Sequence, residues 1–143
     1  MKLKALDQRQ AGILLPLFSL PGKHGIGDLG KEAYEFVDLS AQAGFSIWQI
    51  LPLNPSSSGN SPYTPYSSFA GDEIYIDLNQ LVDMNLLDEV ELFLSDSNIV
   101  YYDKVREFKH KYLLKAYKNF KENDEYQEFL KMSPWVLNYA IFC

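Results

Sequence analysis

The stretches AGILL (residues 11–15) and SIWQIL (residues 46–51) decide the fold of this chain. Each is a short continuous apolar run, which is typical of a strand buried on both faces of a parallel sheet. Between them, apolar residues keep helical spacing over about residues 29–43, with Asp28 placed to cap the start and Gly44 to end the helix. Strand, helix and strand make one βαβ unit, so we predict an α/β fold.

The rest of the chain changes character along its length. All eight glycines and six of the seven prolines lie within residues 1–71, so elaborate loops come first. The alternation of apolar and polar residues in EIYIDL (residues 73–78) predicts a half-buried strand. Helices are predicted at about residues 103–121 and 124–131, and another beginning at Ser133 and Pro134. The first of these helices should bury one stripe, formed by Val105, Phe108, Tyr112, Leu113, Tyr117 and Phe120.

Composition excludes several classes of protein. A formal net charge of −6 disfavours a nucleic-acid partner, and no apolar segment is long enough to cross a membrane. The N-terminal residues 1–10 lack the apolar core of a secretory signal, so we expect a cytoplasmic location. Cys143 is the single cysteine and has no internal disulfide partner. His24 and His110 are far apart in sequence, so no zinc site is predicted.

The glycine-rich segment GIGDLG (residues 25–30) matches the G-x-G-x-x-G pattern of dinucleotide-binding turns. The glycines do not follow the first strand directly, because residues 16–24 intervene. Asp28 would place a negative charge where a pyrophosphate should sit, and no acidic residue follows the second strand to hold a ribose. We therefore predict a structural loop and no nucleotide cofactor.

The loop after the second strand is the richest in chemistry. Residues 51–71 combine serine, asparagine and tyrosine with four prolines, at the end of a parallel strand where barrel enzymes carry their substrate sites. Aromatic faces with short polar groups suit a sugar ligand. The residues alone leave a second interpretation open, in which Tyr63, Tyr66 and Phe69 only pack beneath the loop.

Several motifs together resemble the 4-α-glucanotransferases of the amylomaltase, or disproportionating enzyme, type. They are SLPG (residues 19–22), GIG (25–27), WQILPL (48–53), SPY (61–63), SSFAG (67–71), IDL (76–78) and LNYA (137–140). The resemblance covers essentially the whole chain. It implies a (β/α)8 TIM barrel of the α-amylase clan, of which this chain is the N-terminal part, with barrel strands and substrate loops at about residues 11–82 and a helical insertion at about 83–143.

The resemblance also implies an activity. These transferases move a segment of an α-1,4-glucan to a new 4-hydroxyl by retaining double displacement, with an Asp nucleophile, a Glu acid and base, and a second Asp. The implied ligand is a maltooligosaccharide or α-1,4-glucan, with no cofactor. None of the acidic residues here matches the three catalytic ones, so no catalytic residue is assigned. Asp28, Asp72, Glu73 and Asp77 are interpreted as cap, loop and strand-end residues.

Substrate-binding roles are implied for two residues. Tyr63 matches the tyrosine whose ring stacks on the sugar at the donor subsite, and Ser61 is placed to form a hydrogen bond nearby. Trp48 is interpreted as a core residue. Some family members carry an aromatic residue just before Gly59 that belongs to a second glucan-binding groove. This chain has Ser58 there, so we predict no second groove built on that residue.

A complete (β/α)8 barrel needs at least about 200 residues. We therefore expect these 143 residues to be a fragment that is inactive alone, and that self-associates through open sheet edges. Two alternatives are a non-catalytic glucan-binding module, which requires glucan binding by the fragment, and a nucleotide-binding domain, which an NAD titration would test.

Overall fold

The computed structural model describes residues 9–57, 59–93 and 98–143. Ser58, and with it the prediction about a second glucan groove, lies outside these residues, as do residues 1–8 of the segment considered as a signal. The elements are β1 (Gly12–Leu14), α1 (Lys31–Gln42), β2 (Ile47–Gln49), α2 (Leu78–Asp83), α3 (Tyr102–Asn119), α4 (Asp124–Met132) and α5 (Trp135–Phe142). Single 3-10 turns lie at Leu17–Ser19 and Glu73–Tyr75.

The two strands pair in parallel, as predicted, with Ile13 opposite Trp48. The expectation that both strands are buried is wrong for this chain. Leu14 is 61% exposed and Ile47 is 48% exposed. The physical reason is that the described residues form a sheet of only two strands, so there are too few neighbours to cover both faces.

Helix α1 begins two residues later than predicted. Its N-cap is Gly30, which offers no side-chain hydrogen bond, so the prediction that Asp28 caps the helix is wrong. Asp28 is buried and pairs with Lys109 instead. The predicted end is confirmed, because Gly44 follows the helix with φ +87°, a conformation that glycine adopts without strain.

The predicted strand at residues 73–78 is also wrong. The chain forms the 3-10 turn and then α2, each begun by an aspartate whose side chain accepts a hydrogen bond from a backbone N–H. Asp72 accepts from Ile74 N and Asp77 accepts from Asn79 N. Side-chain capping of this kind favours helical turns over an extended strand, and it overrides the apolar alternation. Ile76, expected to face the core, is 39% exposed.

Helix α3 joins the two hydrophobic clusters of the described chain. Val105 packs with Leu17, Ile26 and Ile74, and Tyr112 packs with Leu78 in the other cluster. The predicted stripe is partly wrong, because Tyr117 is 75% exposed. The fully buried positions of α3 are Val105, Lys109, Tyr112 and Ala116, at helical spacing.

The C-terminal helices begin as the sequence predicts. Asn123 caps α4 by accepting from Tyr126 N, and Pro134 stands immediately before α5. No helix in the described part of the chain is both long enough and apolar enough to cross a membrane.

Candidate functional site

The loop that follows β2 is closed at its base by two hydrogen bonds. We call residues 54–71 the Tyr63 loop. Asp72 N donates to Leu53 O at 2.7 Å, and Asn54 Nδ2 donates to Ala70 O at 2.9 Å. These bonds bring the two ends of the loop together, so the intervening residues form a single projection from the fold.

Above the base, the two arms of the Tyr63 loop pair with each other. Tyr66 N donates to Pro55 O at 3.2 Å, and Ser56 and Pro65 form an antiparallel bridge. Ser57 donates twice to Thr64 O, from its N at 3.2 Å and from its Oγ at 3.0 Å. The described residues of the loop therefore pair in a hairpin-like arrangement, although the sequence contains no regular strand pattern.

The tip of this loop presents Tyr63 to solvent. Its ring is 70% exposed, while Ser61 is half-buried. Ser61 Oγ accepts from Tyr63 N at 3.4 Å, and Ser61 O accepts from Thr64 N at 3.2 Å. Ser61 thus shapes the turn that carries Tyr63. Within residues 9–57, 59–93 and 98–143, no side-chain hydrogen bond or ring contact involves the tyrosine ring, which is exposed to solvent.

The other aromatic residues of the loop pack against α5. The ring of Tyr66 lies 6.4 Å from that of Tyr139, and the ring of Phe69 stacks 5.8 Å from that of Trp135. The packing interpretation therefore holds for Tyr66 and Phe69. Tyr66 and Phe69 make packing contacts, and Tyr63 stands apart from them at the tip.

Trp48, on β2, is a packing residue, in agreement with its interpretation. Its Nε1 donates to Leu15 O at 2.8 Å, and its ring meets Phe36 of α1 edge-on at 4.9 Å. The side chain thus joins both strands to the helix that connects them.

The segment after β1, residues 20–30, which we call the glycine loop, packs inward. Ile26 is 2% exposed, and a Cβ on Gly27 would lie 2.7 Å from Leu20 O. Gly22 and Gly27 are explained by close approach of backbone to backbone. Such packing is what the sequence analysis predicted for a structural loop.

Four ionisable side chains are buried together where the glycine loop meets α3. They are His24, Asp28, Asp77 and Lys109, each at most 6% exposed. Lys109 Nζ donates to Asp28 Oδ2 at 2.7 Å and to Ile76 O at 2.8 Å. The possible ligand atoms of His24, Asp28 and Asp77 lie within 4.8 Å of one another, a set of donor types found in metal sites. The ammonium of Lys109 supplies the positive charge beside Asp28, so we assign the cluster a structural role.

Burial shifts the pKa values in this cluster. It raises the pKa of Asp28 and lowers that of Lys109, in each case by penalising the charged form more than the partner favours it. Burial, together with the positive charge of Lys109, also lowers the pKa of His24. The imidazole is therefore held in its neutral form.

A second ion pair lies at the base of the Tyr63 loop. Arg106 of α3 donates from Nη1 to Asp72 Oδ1 at 2.8 Å and from Nη2 to Asp72 Oδ2 at 2.7 Å. The hydrogen bond to Asp72 raises the pKa of Arg106. Arg106 and Lys109 are three residues apart on α3, so one helix contacts both long loops.

Sequence reasoning did not find Arg106 or Lys109. Lys109 had one detectable signal, since it shares the helical face of Val105 and Tyr112, where a lysine is unusual. Its partner Asp28 is 81 residues away, and Asp72 is 34 residues from Arg106. The acidic residues interpreted as caps and loop residues divide accordingly. Asp72 and Asp77 do cap turns, while Asp28 does not.

Comparison with known proteins places these features in a family. The profile of the 4-alpha-glucanotransferase family matches residues 15–143. The chain is 47% identical over 137 residues to a 4-alpha-glucanotransferase of Aquifex aeolicus, covering 94% of this chain and 28% of that protein. It is 42% identical over 131 residues to the 4-alpha-glucanotransferase of Clostridium butyricum, covering 87% of this chain and 27% of that protein.

A solved structure shows the same arrangement. The amylomaltase of Streptococcus agalactiae, determined in complex with acarbose, superposes with a TM-score of 0.85 at 35% identity, over 93% of this chain and 28% of that one. The chain thus spans between a quarter and a third of the length of these relatives. The family profile matches residues 15–143 and the superposition covers 93% of the chain, so the chain belongs to the 4-alpha-glucanotransferase family.

Proposed function

We propose that the protein acts as a 4-α-glucanotransferase, and that these residues supply the N-terminal part of its (β/α)8 barrel. Residues 11–82, approximately, would contribute barrel strands and substrate loops. Residues 83–143, approximately, would form a helical insertion. Family membership over residues 15–143 is the observation that carries the proposal. The reaction would move a segment of an α-1,4-glucan to a new 4-hydroxyl by retaining double displacement.

Within this reaction we assign Tyr63 to the donor subsite. Its ring is exposed at the tip of an ordered loop, and the flat face of a tyrosine suits the C–H surface of a glucose unit. Ser61 shapes the turn beneath it and offers a hydroxyl nearby. The catalytic carboxylates would come from the part of the relatives' length that this chain does not span.

Disproportionation of maltotriose by the intact protein tests the proposal. We expect Tyr63→Ala to lower kcat/KM by about 10- to 100-fold, because the variant removes an aromatic ring that stacks on the sugar. Tyr117→Ala is the matched control, because Tyr117 is 75% exposed on α3, away from the loop. Absence of transfer by the unmodified protein would contradict the function. Equal activity of the two variants would contradict the role of Tyr63.

For the 143-residue chain by itself, we propose no transfer activity and self-association through the sheet edges. Support comes from the exposed apolar residues of β1 and β2, such as Leu14 and Ile47. Sedimentation should give a mass above the 16.4 kDa of one chain, and glucan binding by this chain would favour the alternative of a binding module.

The proposal keeps the cytoplasmic location expected from the sequence, which cell fractionation would test.

A further inference from the structure

We propose that Arg106 is a positioning residue for Tyr63. Through its two-point ion pair with Asp72, it fixes the base of the Tyr63 loop on α3 and so sets where the tyrosine ring stands. The glucan in this inference rests on the proposed function. The mechanical part, in which Arg106 holds the loop, rests on the geometry of the chain.

The contact between Arg106 and Asp72 is specific in direction as well as distance. Its two bonds, at 2.8 and 2.7 Å, run from one planar guanidinium to one carboxylate. A pair of this type fixes the angle between its partners, which a single bond from an ammonium cannot do. The Asp72 side chain is 4% exposed and that of Arg106 is 30% exposed, so water competes little for the carboxylate.

Asp72 is the residue through which this constraint reaches the loop. Its N–H donates to Leu53 O, immediately before the loop, and its carboxylate also accepts from Ile74 N in the following turn. One residue therefore joins the entry to the loop, the exit from it and the long helix α3. Rotation of Asp72 would disturb all three connections.

The position of the base is transmitted to the tip by the paired arms. Hydrogen bonds join Asn54 to Ala70, Tyr66 to Pro55 and Ser57 to Thr64, in order from base to tip. Tyr63 directly precedes Thr64. A tilt at the base should therefore move the tyrosine ring, because the arms are bonded to each other at three successive places.

The contacts with α5 give the loop less support. Tyr66 remains 48% exposed and Phe69 remains 74% exposed despite their stacking on aromatic residues of that helix. Aromatic contacts this exposed leave freedom to slide, whereas the ion pair at the base is buried on the side of Asp72. The base contact should thus dominate the orientation of the loop.

Hydrogen exchange in the intact protein, read by mass spectrometry, tests the mechanical part. In Arg106→Met we expect amides of residues 54–66 to exchange about tenfold faster, with amides of α1 unchanged. Arg106→Lys keeps the positive charge but loses the two parallel N–H donors. Its exchange rates for residues 54–66 should lie between those of the unmodified protein and of Arg106→Met. Lys111→Met is the control, since Lys111 lies on the same helix in an exposed pair with Glu91 at 3.8 Å. It should leave the loop unchanged.

Unchanged exchange of the loop in Arg106→Met would overturn the inference, as would acceleration of all peptides together, which indicates a general loss of stability. Should Arg106→Met fail to fold, Arg106→Lys and Asp72→Asn decide the matter by the same comparison. If the loop amides of Arg106→Lys and of Asp72→Asn exchange as slowly as those of the unmodified protein, the positioning role of Arg106 is overturned.

Kinetics with maltotriose test the link to Tyr63. Arg106→Met should lower kcat/KM by about tenfold, and by less than about twofold when Tyr63→Ala is already present. Full additivity of the two changes would overturn the positioning role. An unmodified protein without transfer activity would overturn the proposed function and the glucan part of this inference, and exchange would still decide whether Arg106 holds the loop.

Discussion

The glycine loop and the Tyr63 loop follow neighbouring parallel strands, yet they differ in how deeply they are buried. The glycine loop packs inward, with His24 and Ile26 each 2% exposed, and its ion pair with α3 is fully buried. The Tyr63 loop contacts α3 at its base, through Arg106, and carries Tyr63, which is 70% exposed. Among the described residues, α3 thus packs against the buried first loop and holds the second at its base.

This contrast shows how a fold can separate stability from binding. Residues that contact α3 in the glycine loop should govern whether the protein folds. Residues at the tip of the Tyr63 loop should be almost irrelevant to folding and essential to the proposed chemistry. Changes at matched positions in the two loops measure that difference.

The largest effect is expected from Lys109→Met. Removing the ammonium leaves Asp28 buried without its counter-charge, which costs about 3–5 kcal/mol in the free energy of unfolding. Urea denaturation should show this loss. Lys111→Met, which removes an exposed pair with Glu91, should change stability by less than about 1 kcal/mol. Where Lys109→Met does not fold, adding Asp28→Asn should restore folding in part, and equal losses at the two lysines would refute the buried pair.

The next effect distinguishes the glycines of the two loops. A Cβ at Gly27 would meet the backbone oxygens of Leu17 and Leu20, so Gly27→Ala should cost about 1–3 kcal/mol. At Gly71, at the end of the Tyr63 loop, nothing lies within 4 Å of the added atom. Gly71→Ala should therefore be neutral or stabilising by up to about 1 kcal/mol. Thermal melting of both variants checks the contrast, which fails if the order is reversed.

A smaller effect concerns pH and His24. Because its pKa is lowered in the fold, the unfolded chain binds a proton more readily below the ordinary value of 6.5. His24 should therefore make the protein less stable as pH falls from about 6.5 through the lowered pKa, by about 1.4 kcal/mol for each unit of difference.

Replacing His24 isolates this contribution. His24→Gln should flatten the pH dependence of the unfolding free energy below about pH 6.5. Parallel slopes for the unmodified protein and the His24 variant would show that His24 does not titrate in this way.

The smallest effect on stability is expected at Tyr63. Its ring is 70% exposed, so Tyr63→Ala should change the free energy of unfolding by no more than about 0.5 kcal/mol. Urea denaturation checks this, alongside the loss of transfer activity expected from the same variant. A large loss of stability would mean that the residue packs in the intact protein and would weaken its assignment to the donor subsite.

Local patterns in the sequence were sufficient for β1, α1, β2 and the helices α3, α4 and α5, but not for α2. The apolar runs of β1 and β2, the glycine that ends α1, and the proline before α5 each depend on a few adjacent residues. The motifs of the Tyr63 loop were likewise sufficient to indicate the family. In all these cases the deciding interaction is short in sequence, so the pattern and the structure agree.

Residues 73–78 show where a local pattern fails. Alternating isoleucines there resemble a strand, but two aspartates cap successive turns. Among the described residues, no partner strand is present to stabilise an extended conformation. Caps act within two residues and were visible in the sequence. Their competition with a strand could be resolved only once the neighbours were known.

By itself, then, the sequence determined the βαβ unit, the helices of the second half and the family. Only the tertiary structure decided that Asp28 pairs with Lys109, that Asp72 pairs with Arg106, and that Tyr117 faces solvent. The physical reason is separation along the chain. A charge is buried only if its counter-charge arrives from elsewhere, and no local pattern specifies which distant residue will supply it.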